Sequence, residues 1–200
     1  MSTEKGRTRI YRKRQRAEHE ALTRRRITEA AVTLHGTVGP ARTTIKAIAA
    51  EAGVQRATVY RHFPELESLF MACSALWASR NPPPDPAAWA AIADPEERLK
   101  RALAQLYAWY DWAEPMLTNV LRDAPLVPAS AEAGAVFARH FEALRAALMD
   151  GRKARGRRRQ VAAAAIGHAL DFGTWRSLVR DQELRPDEAV RLMTNLVREA

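Results

Sequence analysis

Apolar residues along this chain recur at spacings of three and four and nowhere alternate, so the pattern predicts helices throughout. From about Glu20 to Leu34 the positions Leu22, Ile27, Ala30, Ala31 and Leu34 share one stripe, and Gly36, Gly39 and Pro40 then end the helix. Ile45, Ile48, Ala49 and Ala52 fall at i, i+3, i+4 and i+7, which predicts a helix of about two turns, capped by Thr43 or Thr44 and ended by Gly53. Val59 and Phe63, one turn apart, anchor a second short helix on the first, with Val54 plugging the corner. Glu65 to about Ser79 carries Leu66, Leu69, Phe70, Cys73, Leu76 and Trp77. It is cut off by "NPPPDP", residues 81–86, where the prolines remove backbone donors and hold an extended path.

Beyond the prolines the pattern is helical again. Asp94 caps a helix that has Pro95 at its first position and Leu99, Leu103, Leu106, Tyr107 and Tyr110 on one stripe, with Trp109 and Trp112 off it. A short helix is expected from Pro115 to Asp123, and a longer one over about 130–149. "GRKARGRRR", residues 151–159, reads as a basic connector. A helix over 160–180 and a last one opened by Pro186 complete an all-α plan without internal repeats.

The chain has 200 residues and is 47% hydrophobic, enough for a buried core. Its formal charge of +9 changes the picture, because it is unevenly placed. Residues 1–80 hold 15 Lys/Arg against 7 Asp/Glu, whereas residues 81–200 hold 17 against 16. Clustered cations gain from counterion release along phosphates, so the N-terminal part suggests a polyanionic partner. Residues 1–19 contain Arg12, Lys13, Arg14 and Arg16 and almost no apolar side chains, which predicts a flexible basic arm. The longest apolar run, Val161 to Leu170, is half of the ~20 residues that a bilayer span requires. A charged N-terminus is not the pattern of a secretory leader. With Cys73 as the only cysteine, no intramolecular disulfide or cysteine zinc site can form, and a reducing cytoplasm is the expected compartment.

The stretch "TTIKAIAAEAGVQRATVYRHF", residues 43–63, buries one face and leaves Lys46, Gln55, Arg56, Thr58, Tyr60, Arg61 and His62 within reach of solvent. This is the pattern of a helix-turn-helix, in which the second helix is offered to the major groove. Arg56 can bond guanine bidentately, Thr58 can offer a methyl to thymine, and Tyr60 can donate to phosphate. Together with the preceding "RITEAAVTL" and the following "PELESLF", the segment from about 24 to 77 resembles the TetR family of bacterial transcriptional regulators. The resemblance implies an N-terminal three-helix DNA-binding domain over 20–80 and a helical effector-binding and dimerisation domain over 81–200. It also implies that Arg56, Ala57 and Thr58 face base edges, that Lys46 reaches the same groove, and that Thr44, Tyr60 and His62 hold phosphates. Two positions depart from the family pattern: Gln55 stands where a short capping serine is usual, and Leu66 replaces a frequent lysine. The basic arm is expected to supply the missing charge along the minor groove.

For the C-terminal part, the seam Val161, Ala165, His168, Phe172, Trp175 and Val179, with Met193 and Leu196 of the last helix, reads as a homodimer interface or as core. A symmetric dimer would read a palindromic operator. The density of Tyr107, Trp109, Tyr110, Trp112, Met116, Phe137, His140 and Phe141 suggests a cavity for an apolar or aromatic effector or, residue by residue, ordinary core, and Asp111 and Glu114 either select a cation there or are surface charges. A repressor released by such an effector is therefore expected, with no cofactor, metal or membrane partner. The competing reading is a general nucleic-acid binder of the nucleoid type, driven by the arm and "GRKARGRRR". An enzyme is not expected: the five histidines are scattered, and neither HExxH, GxSxG nor a phosphate-binding glycine loop is present. Only His140 with Glu142 offers a conceivable metal or acid–base pair.

Overall fold

A computed structural model of the chain describes residues 2–200, with side chains from Tyr11 onward. The side chains of residues 2–10, the first part of the expected basic arm, therefore lie outside the described residues. Among the described residues the regular structure is helical, without strands. The helices are α1 (Ser2–Thr37), α2 (Ile45–Glu51), α3 (Arg56–His62), α4 (Leu66–Arg80), α5 (Pro95–Asp123), α6 (Ala131–Met149), α7 (Gly156–Leu170), α8 (Phe172–Arg176) and α9 (Pro186–Glu199).

The chain divides into two compact units. The first runs to Arg80 and also takes in Met116–Ala133, a segment that the sequence assigns to the C-terminal domain; the second comprises Asn81–Pro115 and Gly134–Ala200. Polar bonds help tie 116–133 to the first unit, beside the buried Leu117 and Ala129. Asn119 donates from Nδ2 to the Gly36 carbonyl at 2.9 Å, and the buried Asp123 carboxylate accepts from the Ala41 amide at 3.0 Å. Arg122 holds that carboxylate at 2.7 Å and keeps it below the usual range, helped by the Ala41 amide.

Three expectations about the helices change. The segment expected as a flexible arm is helical, because α1 extends back to Ser2. Propagating an existing helix needs no new nucleus, and Arg14–Glu18 at 2.9 Å and Arg16–Glu20 at 3.2 Å pair along its exposed surface. Pro115 does not open a helix but lies inside α5. It is exposed, and so is Asp111 four residues earlier, so water can take the carbonyl left without a donor. The expected 160–180 helix is broken at Asp171, whose backbone is extended and whose carboxylate accepts from the Thr174 amide at 3.1 Å, starting α8. A single π turn then runs from Ser177 to Asp181.

The first unit's core is Ile27, Ala30 and Ala31 of α1 against Ile48, Ala49, Ala52, Val59, Phe63, Leu69 and Cys73. The second unit buries Leu99, Leu103, Leu106, Tyr107 and Tyr110 of α5 with Leu144 and Leu148 of α6, Ile166 and Leu170 of α7, Trp175 of α8, and Val190 and Val197 of α9. Asp94 caps α5, accepting from the Glu96 amide at 3.2 Å and the Glu97 amide at 3.3 Å.

Candidate nucleic-acid interface

The α2–α3 corner is built from its inner residues. Ile48, Ala49, Ala52 and Val59 are buried, and Val54 packs against them from the turn. Thr44 begins α2 by accepting from the Ala47 amide at 3.1 Å, while Thr43 instead donates its hydroxyl to the Gly39 carbonyl at 2.8 Å. Gly53 takes a φ of 62°, the left-handed conformation that ends α2 abruptly and that a side chain would disfavour. At α3 the Gln55 side chain makes no capping bond, and only its carbonyl holds the first turn, accepting from Thr58 at 2.9 Å and Val59 at 3.3 Å. Its first amides are thus free for an anion, as helix starts allow.

With that corner fixed, Thr44, Lys46, Gln55, Arg56, Ala57, Tyr60 and Arg61 are exposed and Thr58 is half-buried. These expected DNA-facing residues therefore share one accessible region around the turn and the start of α3. His62 differs: its Nε2 is buried without a hydrogen bond among the described residues. Burial, then the nearby Arg61 and Arg24, hold its imidazole below the ordinary value, so the ring is neutral at pH 7. Leu66, in the place of the missing cation, is 49% exposed at the start of α4.

Sequence reasoning missed two residues that position this surface. Arg24 of α1 donates to the His62 carbonyl at 2.6 Å and lays its guanidinium over the Phe63 ring at 3.9 Å. Arg26 donates to the Ala52 carbonyl at 2.5 Å and more weakly to Gly53 at 3.4 Å. Each thus satisfies carbonyls left at a helix C-terminus, one at the end of α3 and one at the end of α2. The available signal was the Arg-Arg-Arg run at 24–26 directly before the core residue Ile27, but sequence spacing does not say which carbonyl such an arginine reaches.

Residues 27–73 match the family model described as bacterial regulatory proteins, tetR family. Over that segment the chain is similar to the TetR family. Solved structures agree on the fold. A TetR-like transcriptional regulator from Rhodococcus sp. RHA1 superposes with a TM-score of 0.60 at 22% identity, covering 88% of this chain and 94% of that one. The TetR family regulator PfmR from Thermus thermophilus gives 0.59 at 23%, covering 86% and 96%. A tetR-family transcriptional regulator from Streptomyces coelicolor gives 0.58 at 23%, covering 88% and 78%. A comparison with curated protein sequences found no match. The likeness to these structures is one of fold, and no described helix is long and apolar enough to cross a membrane.

In this chain the residues expected to receive an effector separate. Tyr110 lies among Trp109, Phe141, Phe172 and Trp175, with ring centroids 5.3 to 6.4 Å apart, and Phe137 joins Phe141 at 4.7 Å. Tyr107 donates to the Ala169 carbonyl at 3.0 Å and Tyr110 to the Leu170 carbonyl at 2.5 Å, and burial pushes both phenols well above their ordinary pKa. His140 places Nε2 3.2 Å from the Pro84 carbonyl. Trp112 is 56% exposed, and Met116 belongs to the first unit, where its methyl faces Gly36. Asp111 and Glu114 share Arg180, at 2.6 and 2.9 Å, so one guanidinium from within the chain offsets half of the pair's charge. Glu142 is likewise held by Arg145, and among the described residues no group of His, Cys, Asp and Glu could hold a metal.

The expected dimer seam also divides. Phe172, Trp175 and Met193 are buried within the protomer, because the break at Asp171 ends the register that would have carried the first two outward. Val161 and Leu196 remain exposed, as do His168 and the neighbouring Leu192; Ala165 and Val179 are half-buried.

Proposed function

We propose that this chain is a homodimeric repressor that reads a palindromic operator through α2 and α3 and is released by a small apolar or aromatic effector. The observation that carries the reading is the corner itself. Its apolar face is buried and its ends are tied by Arg24 and Arg26, while Arg56, Ala57 and Lys46 are left outward. In this reading Arg56, Ala57, Thr58 and Lys46 meet base edges, and Thr44, Gln55, Tyr60 and Arg61 meet phosphates. His62 acts mainly through the carbonyl that Arg24 holds. Arg12, Lys13, Arg14 and Arg16 lie on one exposed helical extension, a form that can follow a phosphate backbone.

The dimer reading is supported by α7 and α9, which pack on each other and leave Val161, Leu192 and Leu196 outward. Effector entry is supported by α6, which buries no residue from Gly134 to Ala143, so Phe137, His140 and Phe141 can part from α5 at small cost. A tenfold loss of operator affinity needs about 1.4 kcal/mol of coupling to that opening.

Selection of bound fragments from a random DNA pool tests the reading. It should return one palindrome, and Arg56→Ala should then cost about 1–3 kcal/mol at that site while sparing binding to unrelated duplexes. Recovery of fragments without a consensus would instead establish a general nucleic-acid binder.

A further inference from the structure

The strongest charge concentration outside the helix-turn-helix lies in the second unit. Between Arg152 and Arg159 six of eight residues are cationic and none is acidic. Only Arg152 is committed to a carboxylate, Glu96 at 2.8 Å, with further bonds to the Leu148 and Pro95 carbonyls. Among the described residues Lys153, Arg155, Arg158 and Arg159 have no carboxylate within ion-pair distance. These exposed side chains, with Arg152 and Ala154, line an open concavity of about 660 Å³. That volume is in the range of small-molecule sites.

The backbone adds to the same point. α7 begins at Gly156, and its cap residue, Arg155, provides no side-chain acceptor, so the first amides of a 15-residue helix are unmet. Its first turn contains Arg157, Arg158 and Arg159 and no acidic residue, which sets positive side chains against the positive end of the helix dipole. Gly156 has a φ of 56°, and a Cβ there would meet nothing within 4 Å, so the backbone at the helix start is open to close approach. An uncapped helix start surrounded by unpaired guanidinium groups is an arrangement that a multiply charged anion relieves on both counts.

We propose that Lys153, Arg155, Arg158 and Arg159, with the first amides of α7, form a binding site for a small polyphosphate-bearing molecule, distinct from the aromatic cluster. The concave lining and the helix start favour a compact chain of two or three phosphates over the extended backbone of a duplex.

The test is calorimetric titration of the full chain with inorganic tripolyphosphate at physiological salt, beside orthophosphate and a random-sequence duplex. Tripolyphosphate should bind at one site and more tightly than orthophosphate. The triple variant Lys153→Gln, Arg155→Gln, Arg158→Gln should lose affinity by about tenfold or more. A variant of equal charge change on exposed cations elsewhere in the unit, Lys100→Gln, Arg101→Gln, Arg139→Gln, should keep it. Equal losses in both variants would reduce the effect to net charge and overturn the proposal. So would a random duplex whose binding weakens in the first variant while tripolyphosphate fails to bind the wild type, since that outcome makes the patch a DNA-backbone contact.

Discussion

Replacing Arg24 by alanine removes the tie between α1 and the end of α3 while leaving every side chain proposed to face DNA unchanged. Two interactions are lost. The charge-assisted bond to the His62 carbonyl, 2.6 Å long, belongs to a class worth about 1.5–3 kcal/mol, and its exposure puts it at the low end. The guanidinium 3.9 Å above the Phe63 ring adds about 0.5–1 kcal/mol. The sum is about 2 kcal/mol, which for a chain of this size lowers Tm by roughly 4–8 °C. Arg25→Ala is the control, because Arg25 pairs only with the half-buried Glu29 at 3.1 Å and should cost about 0.5 kcal/mol. Arg24→Lys keeps the charge but not the planar stack and should recover about half of the loss. Urea denaturation of the three variants measures the stability, and fluorescence anisotropy with the selected operator measures the consequence for reading. Operator affinity should fall further in Arg24→Ala than in Arg25→Ala, since only the former loosens α3. Indistinguishable denaturation midpoints for the two alanine variants would refute the assignment of Arg24 as the clamp on α3.

Three other outcomes follow from the same geometry. Gln55→Ser supplies the side-chain cap that α3 lacks and should stabilise the chain by about 0.5–1 kcal/mol; an unchanged urea midpoint would mean that the free amides are already well solvated. His35, buried by α1 and α4, stacks on Phe70 and lies 3.6 Å from the Cys73 thiol, and burial lowers its pKa to about 4 against a weaker opposing pull from Asp123. The unfolded chain therefore takes up this proton near pH 6.5 and the folded chain only near 4, so stability is full above that window and declines as pH falls through it. About 2 kcal/mol of the decline lies between pH 6.5 and 5, above the range in which Glu29 and Asp123, both held below their ordinary values, protonate. Denaturation midpoints against pH should show it, and His35→Gln should remove most of it, leaving the part that His62, also held below its ordinary value, contributes. Leu192→Glu with Leu196→Glu places like charges on the outward face of α9 and should convert a dimer to a monomer in sedimentation without loss of helical circular dichroism; persistence of the dimer would move the interface elsewhere.

Much of the helix-turn-helix is legible in residues 43–63, because its branched and phenyl side chains, Ile45, Ile48, Val54, Val59 and Phe63, all pack on the inner side. Ile48, Ala49, Ala52 and Val59 are buried as their spacing requires, and the missing cap at Gln55 is visible in the residue type alone. The errors arise where a local rule meets a continuing helix. Pro115 reads as a start, but the preceding turns of α5 are already formed and buried on the Leu103–Tyr110 stripe, so the helix carries through. The spacing from Val161 to Val179 reads as one seam, but Asp171 is a better cap for a new helix than a residue within an old one. The aromatic residues were legible as a group and not as a cavity, because composition cannot say that Tyr110 is already enclosed by four other rings.

One device recurs in both units and explains why sequence-local rules place the helices but not their ends. Arg24 and Arg26 bind the last carbonyls of α3 and α2; Arg98, nearly fully buried, binds the carbonyls of Ile92, Ala147 and Asp150 at 2.9 Å each; Tyr107 and Tyr110 bind those of Ala169 and Leu170 at the end of α7. In nearly every case the donor comes from a different helix and is separated by 26 or more residues, Arg98 to Ile92 being the local exception. A carbonyl accepts from any donor of the right reach, so its own residue leaves no trace of the partner in the sequence. Under the proposed reading the consequence for function is a division of labour: α3 carries the residues that would read bases, whereas α1 holds the helix that presents them. Substitutions at Arg56, Ala57 or Thr58 would then change which bases are preferred without displacing α3, and substitutions at Arg24 would displace it without touching a base.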